Sequence, residues 1–153
     1  MNKIEFKKRT LERARECQQM VIDDFKAKLS EIRQSDMVVN QGQYDHNQQS
    51  LDEANKEIVN GISDQLDFAL DEMQVLNKMT VPERELDYVT IGAVVETDKC
   101  IFYPSVSVER FEVDGREVIG ISRYAPLYNA MEGKREGDTF KYHNITYKIA
   151  DVY

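Results

Sequence analysis

The sequence predicts an α+β protein: an N-terminal antiparallel coiled-coil helical hairpin over residues 1–80, then a small antiparallel β domain with one short helix over 81–153. Three observations predict it. In 47–79, apolar residues recur at gaps of three and four. Residues 1–35 and 36–80 carry charge of opposite sign. After Pro82 the pattern changes to short β-branched and aromatic runs separated by Gly, Asp and Asn turns.

The first arm runs from about Asn2 to Gln34. Ile4, Leu11, Phe25 and Ile32 share one heptad line, with Gln18 as its polar exception, and Ala14 and Val21 occupy the line three residues on, alternating with Lys7 and Lys28. So narrow a stripe is a helix seam more than a globular face. The second arm runs from about Asn47 to Met79. Val59, Ile62, Leu66, Ala69, Met73 and Leu76 hold a sustained heptad pattern, which Leu51, Ala54 and Ile58 continue one residue out of phase. A lone helix with so thin an apolar stripe is marginal, so the arms pair with each other. Residues 1–35 carry nine basic and six acidic side chains, and residues 36–80 carry two basic and nine acidic. That asymmetry favours pairing within one chain, and hence a monomer.

Between the arms, the stretch 35–46 breaks the heptads and reads as the tip of the hairpin, with Gly42 among Asn and Gln residues as the turn. Asp36 and Asp45 place carboxylates there. Two such groups suit a Mg²⁺ ion held together with ligands from a partner. The competing reading makes Ser35, Asp36, Asp45 and Asn47 helix caps and turn formers.

In the second half, residues 88–96 read as a strand and 97–99 as a turn. Residues 100–108 form a second apolar run bent by Pro104. Residues 111–113 and 117–119 flank Asp114-Gly115, a type I′ hairpin signal. Pro126 opens a short helix that ends near Glu132, with Gly133 just beyond it. Residues 139–142 and 145–152 form a closing hairpin about His143-Asn144. This accounts for five or so antiparallel strands.

The net charge of −8 disfavours direct binding to a nucleic-acid backbone, which needs basic side chains against phosphate. No apolar run approaches a membrane span and no signal peptide opens the chain, so a soluble, cytoplasmic protein is expected. Cys17 and Cys100 lack CxxC or Cys/His spacing, which points to two reduced thiols and no zinc site. There is no nucleophile elbow, phosphate loop, H-E-x-x-H or dinucleotide fingerprint, and with two histidines in the chain Ser122, Arg123 and His143 make a poor triad. No catalytic site of its own is expected.

The order of parts, and the stretch Ile121-Ser122-Arg123-Tyr124-Ala125-Pro126-Leu127-Tyr128-Asn129-Ala130-Met131-Glu132-Gly133-Lys134-Arg135-Glu136-Gly137-Asp138, resemble the Gre-type (GreA/GreB) transcription elongation factors of bacteria. That family carries an I-S…S-P-L/I…A-L-x-G-K…G-D pattern there. Val89-Thr90-Ile91-Gly92-Ala93-Val94-Val95 is similar to its first strand, and Tyr147-Lys148-Ile149-Ala150-Asp151-Val152 to its last. The resemblance covers about the last 65 residues in motif and the whole chain in order of parts. It implies a fold like that of FK506-binding proteins (FKBP-like) for the second half, without prolyl isomerase activity. It also implies docking at the rim of the secondary channel of RNA polymerase through Ala125, Pro126 and Leu127, with the hairpin reaching inward.

In cleavage-competent relatives, two tip acids help hold a catalytic Mg²⁺ in the polymerase active site. The resemblance therefore implies no enzyme activity and no intrinsic cofactor, but Mg²⁺ held jointly with polymerase through Asp36 and Asp45. Nucleic acid would be met only through the polymerase. The family's tip reads roughly D-L-x-E-N-x-E-Y. Asp36, Asn40 and Tyr44 fit it with one residue inserted, and its key Glu falls on Val39; Ala125 stands where the family has Ser before the proline. The alternatives are a channel-blocking regulator that does not cleave, and a coiled-coil interaction module unrelated to polymerase.

Overall fold

A computed structural model describes the backbone of residues 1–39 and 46–153 and the side chains of residues 1–35 and 53–153. The chain is mixed α+β. Two long helices, α1 (Lys3–Val39) and α2 (His46–Lys78), precede six strands and a short helix: β1 (Val95–Thr97), β2 (Ile101–Ser105), β3 (Phe111–Val113), β4 (Arg116–Ser122), α3 (Pro126–Met131), β5 (Thr139–Tyr142) and β6 (Ile145–Val152). The chain divides into two compact units, residues 1–17 with 72–153 and residues 18–71. The sequence pattern changes at 80/81; within the first unit the first turns of α1 and the last turn of α2 bury their apolar side chains with those of the strands.

In the first unit the sheet runs in the order β3-β4-β2-β1-β6-β5. Its two faces are covered by separate apolar clusters. One holds Phe6, Leu11, Ala14 and Leu76 from the helices with Val94, Ile101, Tyr103, Val118 and Tyr153. The other holds Val89, Val95, Phe102, Ile121, Phe140 and Val152 with Tyr128 and Met131 of α3. Successive residues alternate between the clusters, as strand geometry requires: Ile101 and Tyr103 against Phe102, and Val152 against Tyr153. A sheet buried on both faces explains why all five residues of β2 are buried.

Two sequence expectations are corrected here. The sheet is mixed and not wholly antiparallel, since β2 and β4 pair in parallel from Ile101↔Val118 to Ser105↔Ser122. The hairpin β3–β4 supplies the intervening connection. The strand expected at 88–96 is only Val95–Thr97. Ala93, Val94 and Val95 are all fully buried, which no single strand face provides, and Gly92 turns the backbone at φ +86°. Its N–H donates to Pro104 O at 2.8 Å, beyond the point where the β1–β2 ladder ends at Phe102. Pro104 therefore sits in β2 without interrupting that ladder.

The short-range expectations agree closely with the structure. Asp114 and Gly115 both have positive φ (52° and 75°), as do His143 and Asn144 (47° and 62°), the signature of type I′ hairpin turns. Asn2 caps α1, its Oδ1 accepting from the Glu5 N–H at 3.2 Å. The Arg15 guanidinium donates to the Leu76 and Met79 carbonyls at the end of α2.

In the second unit, α1 buries Gln18, Ile22 and Leu29, and α2 buries Ala69. The Gln18 amide donates to the Ala69 carbonyl at 2.9 Å, which satisfies the polar exception in the stripe. Further along, Lys26, Leu29, Ser30, Arg33 and Gln34 line a groove of about 390 Å³ with Leu66. Val21, expected in the seam, is 41% exposed while Ile22 takes the buried position. The buried positions 11, 14, 18, 22 and 29 of α1 follow the 3.6-residue turn of a straight helix, not a strict heptad. Ala54 and Ile58 are likewise exposed.

The tip is corrected in part. Ser35 lies inside α1, not at a cap, and its hydroxyl donates to the Glu31 carbonyl at 3.0 Å, one turn back. Asp36 is on the same helix. The turn expected about Gly42, the Asp36 carboxylate and all of Asp45 lie outside the described residues.

Candidate partner-binding surface

In the first unit the candidate surface lies where β4 ends and α3 begins. Ile121 is buried as the last inward residue of β4. The chain then leaves the sheet through a tight turn, with the Tyr124 N–H donating to Ser122 Oγ at 3.2 Å and the Ala125 N–H to the Ser122 carbonyl at 3.0 Å. Ala125 is extended (φ −70°, ψ 138°) and occupies the N-cap of α3 with no side-chain cap, because its methyl has nothing to donate or accept. Its carbonyl accepts from the Tyr128 N–H at 3.0 Å. Pro126 follows at the first helical position, where a missing N–H costs nothing.

Pro126 is exposed, while Ala125 and Leu127 are half-buried against the cluster beneath α3. The three expected partner-binding residues are thus contiguous, one presented outward and two set into the support. Two neighbours that the sequence analysis did not assign to partner binding add more exposed area. Tyr124 is 77% exposed, and the Arg123 guanidinium lies 4.7 Å from its ring centroid while donating to its hydroxyl. Cation–π contact at so exposed a site is worth about 0.5–1 kcal/mol. The signal available in the sequence was a large aromatic in the turn before a helix-opening proline.

The far side of α3 is fixed by backbone bonds. The Gly133 N–H donates to the Val89 carbonyl and the Val89 N–H to the Lys134 carbonyl, both at 2.8 Å. Gly133 and Gly137 have φ of +76° and +88°, which favours glycine at each. Asp138 closes the second turn, its Oδ2 accepting from the Arg135 N–H at 2.8 Å. Arg135 in turn pairs with Asp87. Burial pushes the Tyr128 hydroxyl up from its ordinary pKa, reinforced by the Glu132 carboxylate 3.4 Å away, so it stays a neutral donor. The stretch is a backbone-bonded scaffold with Arg123 and Tyr124 exposed at its rim.

Ser122, Arg123 and His143 have separate engagements. Ser122 accepts from the backbone, Arg123 holds Tyr124, and His143 packs edge-on against Tyr142 at 4.1 Å in the β5–β6 turn. Among the described residues no group of three or more His, Cys, Asp and Glu is placed to hold a metal ion. The Asp36 and Asp45 carboxylates lie outside those residues. No described helix is long and apolar enough to cross a membrane. Cys17 and Cys100 are free and half-buried, and burial pushes the Cys100 thiol up.

No family model and no curated protein matches this sequence. Among solved structures, the crystal structure of Gfh1 from Thermus aquaticus is similar, with 16% sequence identity, 93% of this chain and 95% of that chain covered, and a TM-score of 0.35. At that score the superposition is loose and carries no argument about fold, site or mechanism.

Proposed function

We propose that this chain is a Gre-type factor that binds bacterial RNA polymerase at the rim of the secondary channel and modulates transcription elongation. The observation that carries the reading is the 121–138 stretch. Its Ile-Ser…Pro-Leu…Gly-Lys…Gly-Asp pattern resembles the Gre pattern, and here it forms a strand–turn–helix–turn surface with Tyr124 and Pro126 exposed. The order of parts supports it as well, with a long helical region preceding a six-stranded sheet.

In this reading residues 1–80 act as an antiparallel coiled hairpin and residues 81–153 as an FKBP-like module. Ala125, Pro126 and Leu127, joined by Arg123 and Tyr124, meet the channel rim. The protein is a cytoplasmic monomer with no catalytic residues and no cofactor of its own. It acts through the polymerase's active site, where Asp36 and Asp45 help hold Mg²⁺. One sequence feature favours a variant in which the factor occupies the channel without promoting cleavage: Val39 stands at the position of the Gre tip glutamate.

The test is a stalled elongation complex of core bacterial RNA polymerase with end-labelled RNA and Mg²⁺, with and without the protein. Shortened transcripts that extend again on adding nucleotides establish a cleavage factor, and Asp36→Ala with Asp45→Ala then removes shortening while binding survives. Slower intrinsic cleavage or altered pausing without shortening identifies the channel-occupying variant. Absence of binding to core polymerase overturns the proposal and leaves an interaction module for another protein. Tyr124→Ala with Pro126→Ala weakens binding in either polymerase reading.

A further inference from the structure

The second unit carries a surface that the polymerase reading does not use. On α2, Phe68 is 61% exposed and Ile58 is 52% exposed, in a helix whose buried face already packs Ala69. At 100° per residue, Phe68, Gly61, Ala54, Gln65 and Ile58 fall in a sector of about 80°. A Cβ placed on Gly61 would meet nothing within 4 Å, so the backbone there is an open notch two turns from the Phe68 ring.

Beside this strip runs a row of acids. Glu57, Asp64 and Asp71 recur every seventh residue and occupy the adjoining sector of about 40°. All three are exposed, and none is ion-paired among the described residues. No basic residue occurs between Glu57 and Asn77.

We infer that this face of α2 docks a basic amphipathic helix of a partner protein, with apolar side chains seated over Gly61 against Phe68 and Ile58 and a Lys or Arg row against Glu57, Asp64 and Asp71. The seven-residue repeat of the acids is the repeat at which a facing helix presents its own side chains. A neutral or acidic partner would leave the row unmatched. A second copy docked face to face and antiparallel would set the row against itself, in a chain already at −8. Phosphate-bearing surfaces are repelled by the same acids. The inference stands on the second unit alone and survives failure of the polymerase reading.

The test uses the full chain and a synthetic 21-residue helical peptide with leucine at its core positions, lysine every seventh residue on one flank and a single tryptophan. The chain contains no tryptophan, so indole fluorescence reports only the probe. The lysine peptide binds, and a twin with glutamate for lysine does not. Phe68→Ala weakens binding at least tenfold with unchanged circular dichroism, since the ring lies on the surface. Asp64→Lys with Asp71→Lys weakens the lysine peptide at least tenfold and lets the glutamate twin bind.

Equal binding by Phe68→Ala overturns the inference, because attraction by net charge alone would need no ring. Equal loss from Asp23→Lys with Asp24→Lys on α1 overturns it on the same ground. Failure of the lysine peptide to bind overturns it directly. Dimerisation of the free chain in sedimentation, abolished by Phe68→Ala, overturns the choice of occupant in favour of a second copy.

Discussion

Lys7 is expected to destabilise the protein, so that replacing it makes the fold more stable. It lies in the first turns of α1 and is 2% exposed. Its Nζ has no hydrogen-bond partner among the described residues. Its neighbour Lys3 takes the nearby carboxylates instead, at 2.8 Å from Asp151 and 3.5 Å from Glu85. Burial pulls the Lys7 pKa from 10.5 down to about 8, with only a partial counter-pull from the Glu85 charge. An ammonium group without a bonded counter-charge is the costly kind of buried polar group.

A lowered lysine pKa means that the unfolded chain binds more protons than the folded one between pH 8 and 10.5. Stability therefore rises with pH across that window, and the full penalty applies below it. At about 1.4 kcal/mol per pKa unit the penalty at pH 7 is about 3 kcal/mol. Lys7→Met keeps the chain length and the packing but removes the amine. It should raise unfolding free energy at pH 7 by about 2–3 kcal/mol, and Tm by about 5–10 °C for a chain of this size. Urea unfolding at pH 7 and pH 10 measures it, and the gain should shrink at the higher pH. A neutral or negative effect at pH 7, or an equal gain at both values, refutes the reasoning.

Two further predictions concern the sheet. Gly120 has ordinary φ, but a Cβ there would lie 2.9 Å from both the Val106 carbonyl oxygen and Val108 Cβ, where backbone cannot yield cheaply. Gly120→Ala should cost about 1–3 kcal/mol in urea unfolding, and Gly115→Ala, where a Cβ meets nothing but φ is +75°, provides the comparison in which only strain acts. Glu96 is raised by burial but lowered more by Arg116, whose two bonds measure 2.9 Å, and by the Tyr153 hydroxyl at 2.7 Å, so its net pKa is depressed. Its contribution is present above the unfolded value near 4.5 and is lost as pH falls through the folded value. Glu96→Gln should cost about 1–2 kcal/mol at pH 7 and show a shallower stability loss from pH 5 to pH 3 than the unmodified chain.

The features legible in the sequence were those decided within a few residues. Asp114-Gly115 and His143-Asn144 announce their turns because I′ geometry needs left-handed residues at both positions. Pro126 and Gly133 bracket α3 for equally local reasons. The parallel pairing of β2 with β4 and the irregular path of 88–94 were not legible. Both depend on which distant segments cover each face of the sheet. The apparent strand at 88–96 arises because Val89 and Val95 serve one cluster and Val94 the other. At the candidate surface, Pro126 was legible through its chemistry. Tyr124 was not, because its exposure depends on where β4 leaves the sheet and on the Arg123 contact.

The same non-local packing decides how the molecule can be taken apart. A cut at 80/81, the natural place from the sequence pattern, removes Phe6, Leu11, Ala14 and Leu76 from one face of the sheet and leaves Val94, Tyr103, Val118 and Tyr153 uncovered. It also removes Lys3 from Asp151 and the Phe6 ring from the Arg116 guanidinium 5.1 Å away. At about 1.5–3 kcal/mol for each large apolar side chain buried, Phe6, Leu11 and Leu76 together match much of the net stability expected of a whole domain. Residues 81–153 alone should therefore bind a hydrophobic dye and unfold without a cooperative transition. Residues 72–153 should regain that transition when a peptide of residues 1–17 is added. Cooperative unfolding of 81–153 by itself would show that the strands and α3 suffice, and that the helix ends only decorate a core complete without them.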